Sequence, residues 1–187
     1  DVAPSRGLGD VYKRQEEGLE TLLGYQLFSI GNRADSAALV YQVDYVLDGY
    51  VKKAGTNFVL SVGRLIGSQP ELKGEQRLRK EDIYWEMPRC YQWDITVNLP
   101  EGYRISPEGL ERLNVKVEND CGAFIVQATT EDGTLRIKAE KRINHKTEPV
   151  ANWEKLLEIT DAANSYEALS IVFQATINPP TSPTTGY

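Results

Sequence analysis

Histidine occurs once in this chain, methionine once and cysteine twice. Each scarcity narrows the chemistry. A single imidazole, His145, excludes any mechanism that needs two. Neither Cys90 nor Cys121 has a second cysteine or a histidine at metal-finger spacing, which argues against a zinc site. Long apolar runs are also missing. Stretches such as Ala37-Ala38-Leu39-Val40-Tyr41 are far too short to span a bilayer. There is no excess of positive charge: 21 Lys and Arg stand against 27 Asp and Glu, a net charge of −6. A nucleic-acid binder needs a basic face to displace counterions from phosphates, so that class is disfavoured. No glycine-rich phosphate loop and no paired-carboxylate motif on a helix is found.

What the chain does have is alternation. From Tyr91 to Leu99, apolar Tyr91, Trp93, Ile95, Val97 and Leu99 alternate with Gln92, Asp94, Thr96 and Asn98. Side chains on a strand point to opposite faces in turn, so this reads as a central sandwich strand with one buried face. Pro100 ends it. Leu22 to Ile30 reads as a strand. Ala38 to Leu47 and Phe58 to Ile66 read as an antiparallel hairpin, with Gly63 marking a bulge or a close backbone approach. Gly67 to Asp82 is heavily charged and reads as a solvated connection, followed by a short strand over Ile83 to Met87 and, later, a loop over Ile105 to Leu110. Leu113 to Lys141 reads as a three-strand meander, closed by an Asp132-Gly133 hairpin turn. Trp153, Leu156, Leu157, Thr160 and Ala163 place one apolar stripe on a helix that starts after Pro149 and ends at Asn164-Ser165, with Asn152 as an alternative cap. Leu169 to Ala175 is a last strand. The expected fold is therefore mainly β: an antiparallel β-sandwich with one C-terminal α-helix followed by a final strand.

Residues 1–15 lack periodicity, and Asp10 to Gln15, DVYKRQ, resembles a translated transposon end. They are read as a sequencing or assembly scar and set aside. Residues 16–176 form the β-sandwich region, divisible into 16–82 and 83–176. Residues 177–187, rich in Pro, Ser and Thr, read as a disordered tail.

The candidate sites are sparse. A cysteine nucleophile would have to be assembled from Cys121, His145 and either Asp120 or Asp161, and neither Cys121 nor Cys90 precedes a helix whose dipole would stabilise a thiolate. The two cysteines could pair if they lie on adjacent strands. An aromatic platform for glycan or peptide could draw on Tyr84, Trp85, Tyr91, Trp93 and Tyr103. The register of Tyr91 and Trp93 assigns them to the core, and Trp153 belongs to the helix stripe, which leaves Trp85 and Tyr103. Arg77, Arg79 and Lys80 are interleaved with Glu71, Glu75, Glu81 and Asp82, so their charge is largely cancelled. No catalytic, cofactor-binding or metal-binding residue is assigned, and no cofactor.

Three segments carry a resemblance: DYVLDGYVKKAGTNFVLSVGRLIGSQ, RKEDIYWEMPRCYQWDITVNLPEGYRI and EPVANWEKLLEITDAANSYEALSIVF. Across Leu19 to Gln174 the chain resembles the C-terminal region of large envelope proteins of Bacteroidota. Those proteins join an N-terminal β-domain, a transglutaminase-like papain-fold core and a C-terminal β-domain. No stretch here matches the core, so no catalytic residue carries over. The resemblance implies a periplasmic or cell-surface location, with a signal peptide further upstream. It also implies a non-catalytic accessory domain whose partner is the transglutaminase-like core or another envelope protein. A glycan- or peptide-binding module is the alternative.

Overall fold

A computed structural model describes residues 19–32 and 37–176. The expected scar at 1–15 and the tail at 177–187 lie outside those residues. Within them the protein is mainly β, with antiparallel sheets, a C-terminal helix and a final strand after it. The chain divides into two compact units between Val51 and Lys52, upstream of the 82/83 division considered from sequence.

The first unit is a long hairpin of β1 (Leu19–Asn32) and β2 (Ala37–Leu47). The sequence pairs Ala38–Leu47 with Phe58–Ile66 instead. That pairing is wrong, because β2 turns back onto β1, which carries three bulges.

The second unit contains two four-stranded sheets. One comprises β3 (Val51–Ala54), β4 (Asn57–Leu60), β12 (Ile171–Ala175) and β7 (Tyr103–Arg104), in that order. The other runs β6 (Arg89–Asn98), β10 (Thr134–Ile143), β9 (Gly122–Glu131), β8 (Val115–Asn119). The expected meander is β8–β9–β10. Its turn holds Asp132 and Gly133 at φ of 47° and 71°, the left-handed conformation that a tight hairpin turn demands. A small pair, β5 (Ile83–Tyr84) with β11 (Thr147–Glu148), stands beside them. The strand expected over Ile83–Met87 is thus only β5.

Two corrections concern the strand Tyr91 to Leu99. It forms β6, but at the edge of its sheet and not at the centre, with β10 as its one strand neighbour among the described residues. Its inward register is right, yet an edge position leaves it thinly covered. Trp93, Ile95 and Val97 are half-buried, and Tyr91 is 49% exposed. The core lies over β9 and β10, where Phe124, Val126, Ala128, Leu135, Ile137 and Ala139 share one buried face.

A helix, α2 (Trp153–Glu167), covers β8 and β9. Its buried stripe is Leu156, Leu157, Ile159, Ala163 and Tyr166. Each large apolar member contributes roughly 1.5–3 kcal/mol by leaving water. Tyr166 meets Phe124 edge-on at 5.7 Å between ring centroids. Thr160 lies on that side of the helix but is only half-buried, and its hydroxyl donates to the Leu156 carbonyl. The helix continues past Asn164-Ser165 to Glu167. A second, five-residue helix, α1 (Pro107–Glu111), replaces the loop expected at 105–110; the Ser106 hydroxyl accepts from the Gly109 amide and caps it.

The run Phe58 to Ile66 breaks after β4 into a 3-10 turn, Val62–Ile66. Gly63 marks a close approach: its amide donates to the Leu169 carbonyl, and a Cβ there would lie 1.9 Å from the Tyr166 carbonyl oxygen. The stretch 67–82 is not a free solvated connection. Arg77 makes a bidentate pair with Asp161 on α2 at 2.9 and 2.8 Å, and the Trp153 indole donates to the Arg77 carbonyl at 2.8 Å.

Candidate functional site

A close cluster of titratable side chains in the second unit lies where the β8–β9 turn meets β11 and the start of α2. The Asn119 carboxamide oxygen accepts from the Cys121 amide at 3.0 Å, and its nitrogen donates to the Lys155 carbonyl at 3.0 Å. Gly122 follows Cys121 because a Cβ there would lie 2.1 Å from the Arg142 carbonyl oxygen. The Asn144 amide donates to the Cys121 carbonyl at 2.9 Å and its side chain to the Asp120 carbonyl at 3.0 Å. The turn is thereby stitched to the chain leading to His145.

Glu148 is the centre. It pairs with Ile83 across β11 and β5, which turns its carboxylate inward, and it is only 2% exposed. His145 Nδ1 lies 2.6 Å from one carboxylate oxygen, and Asn152 Nδ2 donates to the other at 2.7 Å. Asn152 therefore serves Glu148 and does not cap α2 through its side chain. The Cys121 thiol is fully buried, and the same carboxylate acts on it electrostatically. Burial pushes the Glu148 carboxyl up. The hydrogen bonds from Asn152 and His145, the imidazole charge and the Cys121 thiol outweigh it, so the net shift is downward.

Such surroundings favour a thiol over a thiolate. Burial first, then the Glu148 carboxylate, push the Cys121 pKa up, and Lys155 only partly opposes them. A cysteine nucleophile needs the reverse environment. The Asp residues considered as orienting groups are engaged elsewhere: Asp120 pairs with Lys155 at 3.1 Å, and Asp161 with Arg77. Glu148 was missed from sequence. Its one signal was its position three residues after the single histidine. Cys90 is exposed and Cys121 buried, and both are free thiols with no disulfide between them.

The aromatic candidates are tied down. Trp85 is half-buried against the cluster of Ile83, Cys121 and Leu156, together with Ile143 and Trp153. The Tyr103 hydroxyl donates to the Thr56 carbonyl at 3.1 Å, and its ring packs on Phe58 at 5.1 Å. Of the basic cluster, Arg77 holds Asp161, and Arg79 lies over the Trp153 ring at 5.5 Å.

Residues 62–173 match the profile of DUF3858, a domain of unknown function with a solved structure. The chain belongs to the DUF3858 family. No curated protein and no solved structure matches it. The DUF3858 region takes in the Cys121–His145–Glu148 cluster and α2, and it leaves out the β1–β2 hairpin.

On the outer face of its β6–β10–β9–β8 sheet the DUF3858 domain carries a shallow groove of about 570 Å³, lined by Gln92, Asp94, Gln127, Lys138, Glu140 and Arg142 among others. Its charges are already spent on each other. Arg142 reaches Glu118 at 2.6 Å and Glu140 at 2.7 Å, and Gln92 donates to Glu140 at 3.0 Å. These contacts hold both carboxyls below their ordinary range: for Glu118 the Arg142 hydrogen bond leads, for Glu140 the Gln92 one. The network cross-links β8, β10 and β6 over β9.

Proposed function

We propose that this DUF3858 chain is a non-catalytic accessory domain of a larger transglutaminase-like cell-envelope protein, in the periplasm or at the cell surface. There it docks on the catalytic core or on another envelope protein. The observation that carries this reading is the state of Cys121: a fully buried thiol facing a carboxylate, built as a brace between β9, β11 and α2. The resemblance of the three quoted segments supplies the context. An interaction role is supported by β6, a ten-residue strand at a sheet edge with one strand neighbour among the described residues, the geometry that strand addition uses.

The test uses the purified chain and a separately purified transglutaminase-like core from the same parent. Calorimetry should register binding, and the chain alone should show no thiol-dependent turnover. Turnover lost in Cys121→Ser would sink the non-catalytic reading.

A peptide-binding module is the second reading, favoured by the same edge, where Tyr91 of β6 is 49% exposed. An extended peptide would then bind along β6 and lose affinity in Tyr91→Ala. Retention of a glycan on an array, lost in Trp85→Ala, would favour sugar instead.

A further inference from the structure

The β1–β2 hairpin has one apolar face and one mixed face, and the bulge residues Leu23 and Phe28 are exposed as well. Cross-strand partners share a face, and on one face each such pair with described side chains is apolar: Leu22 with Tyr45, Tyr25 with Val43, Leu27 with Tyr41, Ile30 with Leu39. The other face carries Thr21 with Val46, Gly24 with Asp44, Gln26 with Gln42 and Ser29 with Val40. The strands do not alternate alike. All three bulges fall in β1, so each time the apolar sequence would slip to the wrong face the bulge restores it. The Tyr25 and Tyr41 rings, diagonal neighbours on the apolar face, stack at 6.1 Å.

A half-apolar antiparallel sheet is built to lie on a core. A two-stranded hairpin alone is marginal in water. Yet on this face Leu22, Tyr25, Leu27, Ile30, Leu39, Tyr41 and Tyr45 are between 41% and 79% exposed. With large side chains of roughly 150–250 Å² each, that leaves on the order of 700 Å² of apolar surface, close to the ~800 Å² per partner of a standard stable interface.

We propose that this face is a self-association surface on which a second copy of the chain packs its own hairpin, sheet against sheet. The area suffices for a stable dimer. A two-fold interface presents the same patch from both sides, so the patch must tolerate itself. This one does: none of its eight side chains carries a charge, and the acidic group nearby, Asp44, lies on the opposite face, where it accepts from Gln42 at 3.0 Å. The lack of Lys and Arg on the face also disfavours an anionic lipid surface as its cover.

The test is the mass of the full chain by light scattering and sedimentation across the micromolar range. Twice the 21.0 kDa chain mass is expected. Leu27→Glu with Tyr41→Glu should weaken the dimer by about 100-fold or more, because each buries an unpaired charge. Gln26→Glu, on the polar face, should leave it intact. In a Cys90→Ser background, a short bismaleimide should cross-link Tyr41→Cys and not Gln42→Cys. A monomer at every concentration overturns the proposal, as does a dimer that survives the paired Glu substitutions or cross-links equally at both positions. Slow hydrogen exchange in the hairpin of a strict monomer would place the cover within the chain and overturn it too.

Discussion

Tyr166→Phe tests how the core of the second unit is assembled. Tyr166 is the largest of the fully buried side chains, and its hydroxyl has no hydrogen-bond partner among the described residues. Stripping a hydroxyl of water without a compensating bond costs roughly 1–3 kcal/mol. Phe retains the ring and its edge-on contact with Phe124. The void left by one oxygen costs only about 0.3 kcal/mol at the usual price per volume of cavity. The variant should therefore be more stable by about 1 kcal/mol at pH 7. A second effect follows at alkaline pH. Burial pushes the phenol from 10.0 up to about 12. The unfolded chain then loses this proton first, so wild-type stability falls as pH rises from the unfolded value towards the folded one. The advantage of Phe should grow by about 1.4 kcal/mol between pH 7 and pH 11, one pKa unit's worth. Urea unfolding followed by tryptophan fluorescence measures both, since Trp85, Trp93 and Trp153 all lie in the second unit. A Phe variant less stable than wild type by 1 kcal/mol or more at pH 7 would refute the reasoning. So would an advantage that does not change with pH.

Other outcomes follow from the same contacts. Gly63→Ala should destabilise by about 3 kcal/mol, since neither backbone can yield easily; the same urea titration measures it, and a neutral result would mean the 3-10 turn does not lie against α2. Glu148→Ala should cost about 3 kcal/mol, because His145 and Asn152 lose their buried acceptor. The depressed Glu148 pKa stabilises the fold above the ordinary 4.5, and that contribution is lost as pH falls from there through the folded value. Thermal melts against pH should thus show a shallower acid limb in Glu148→Gln. Cys90 should react with a chromogenic disulfide in the native protein and Cys121 only on unfolding; equal native rates would contradict the protonated, enclosed thiol.

The meander and the helix were legible because their signals are local. Asp132-Gly133 fixes a hairpin by backbone geometry, and Leu156, Leu157 and Ala163 fall on one side of any helix. Neighbours across the sheet were not legible in the same way. Alternation in β6 correctly says which side faces inward, but a strand with one neighbour and a strand with two alternate alike. The loop at 67–82 looked solvated because its charges are dense. Arg77, Gln69 and Glu167 use charge and amide groups to fasten it to α2, and partners so far apart in sequence leave no local trace. Glu148 was overlooked for a related reason. A carboxylate in a short strand looks like a surface residue until the polar groups around it arrive from the β8–β9 turn and the entry to α2.

The same limit explains why β2 was paired with the wrong strand. Unbroken alternation cannot hold β1 and β2 in phase along their whole length, since β1 has fourteen residues and β2 eleven. Three one-residue bulges absorb that difference and keep the apolar pairs on one side. A bulge costs ladder hydrogen bonds, so three of them maintaining one face imply a strong pull on that face. The hairpin itself supplies little of it, because its apolar side chains remain mostly exposed within their own unit. The pull must come from what the face contacts when covered. The residues that misled the strand pairing are therefore the ones that make the hairpin an interface, and removing a bulge should disturb association before it disturbs the DUF3858 domain.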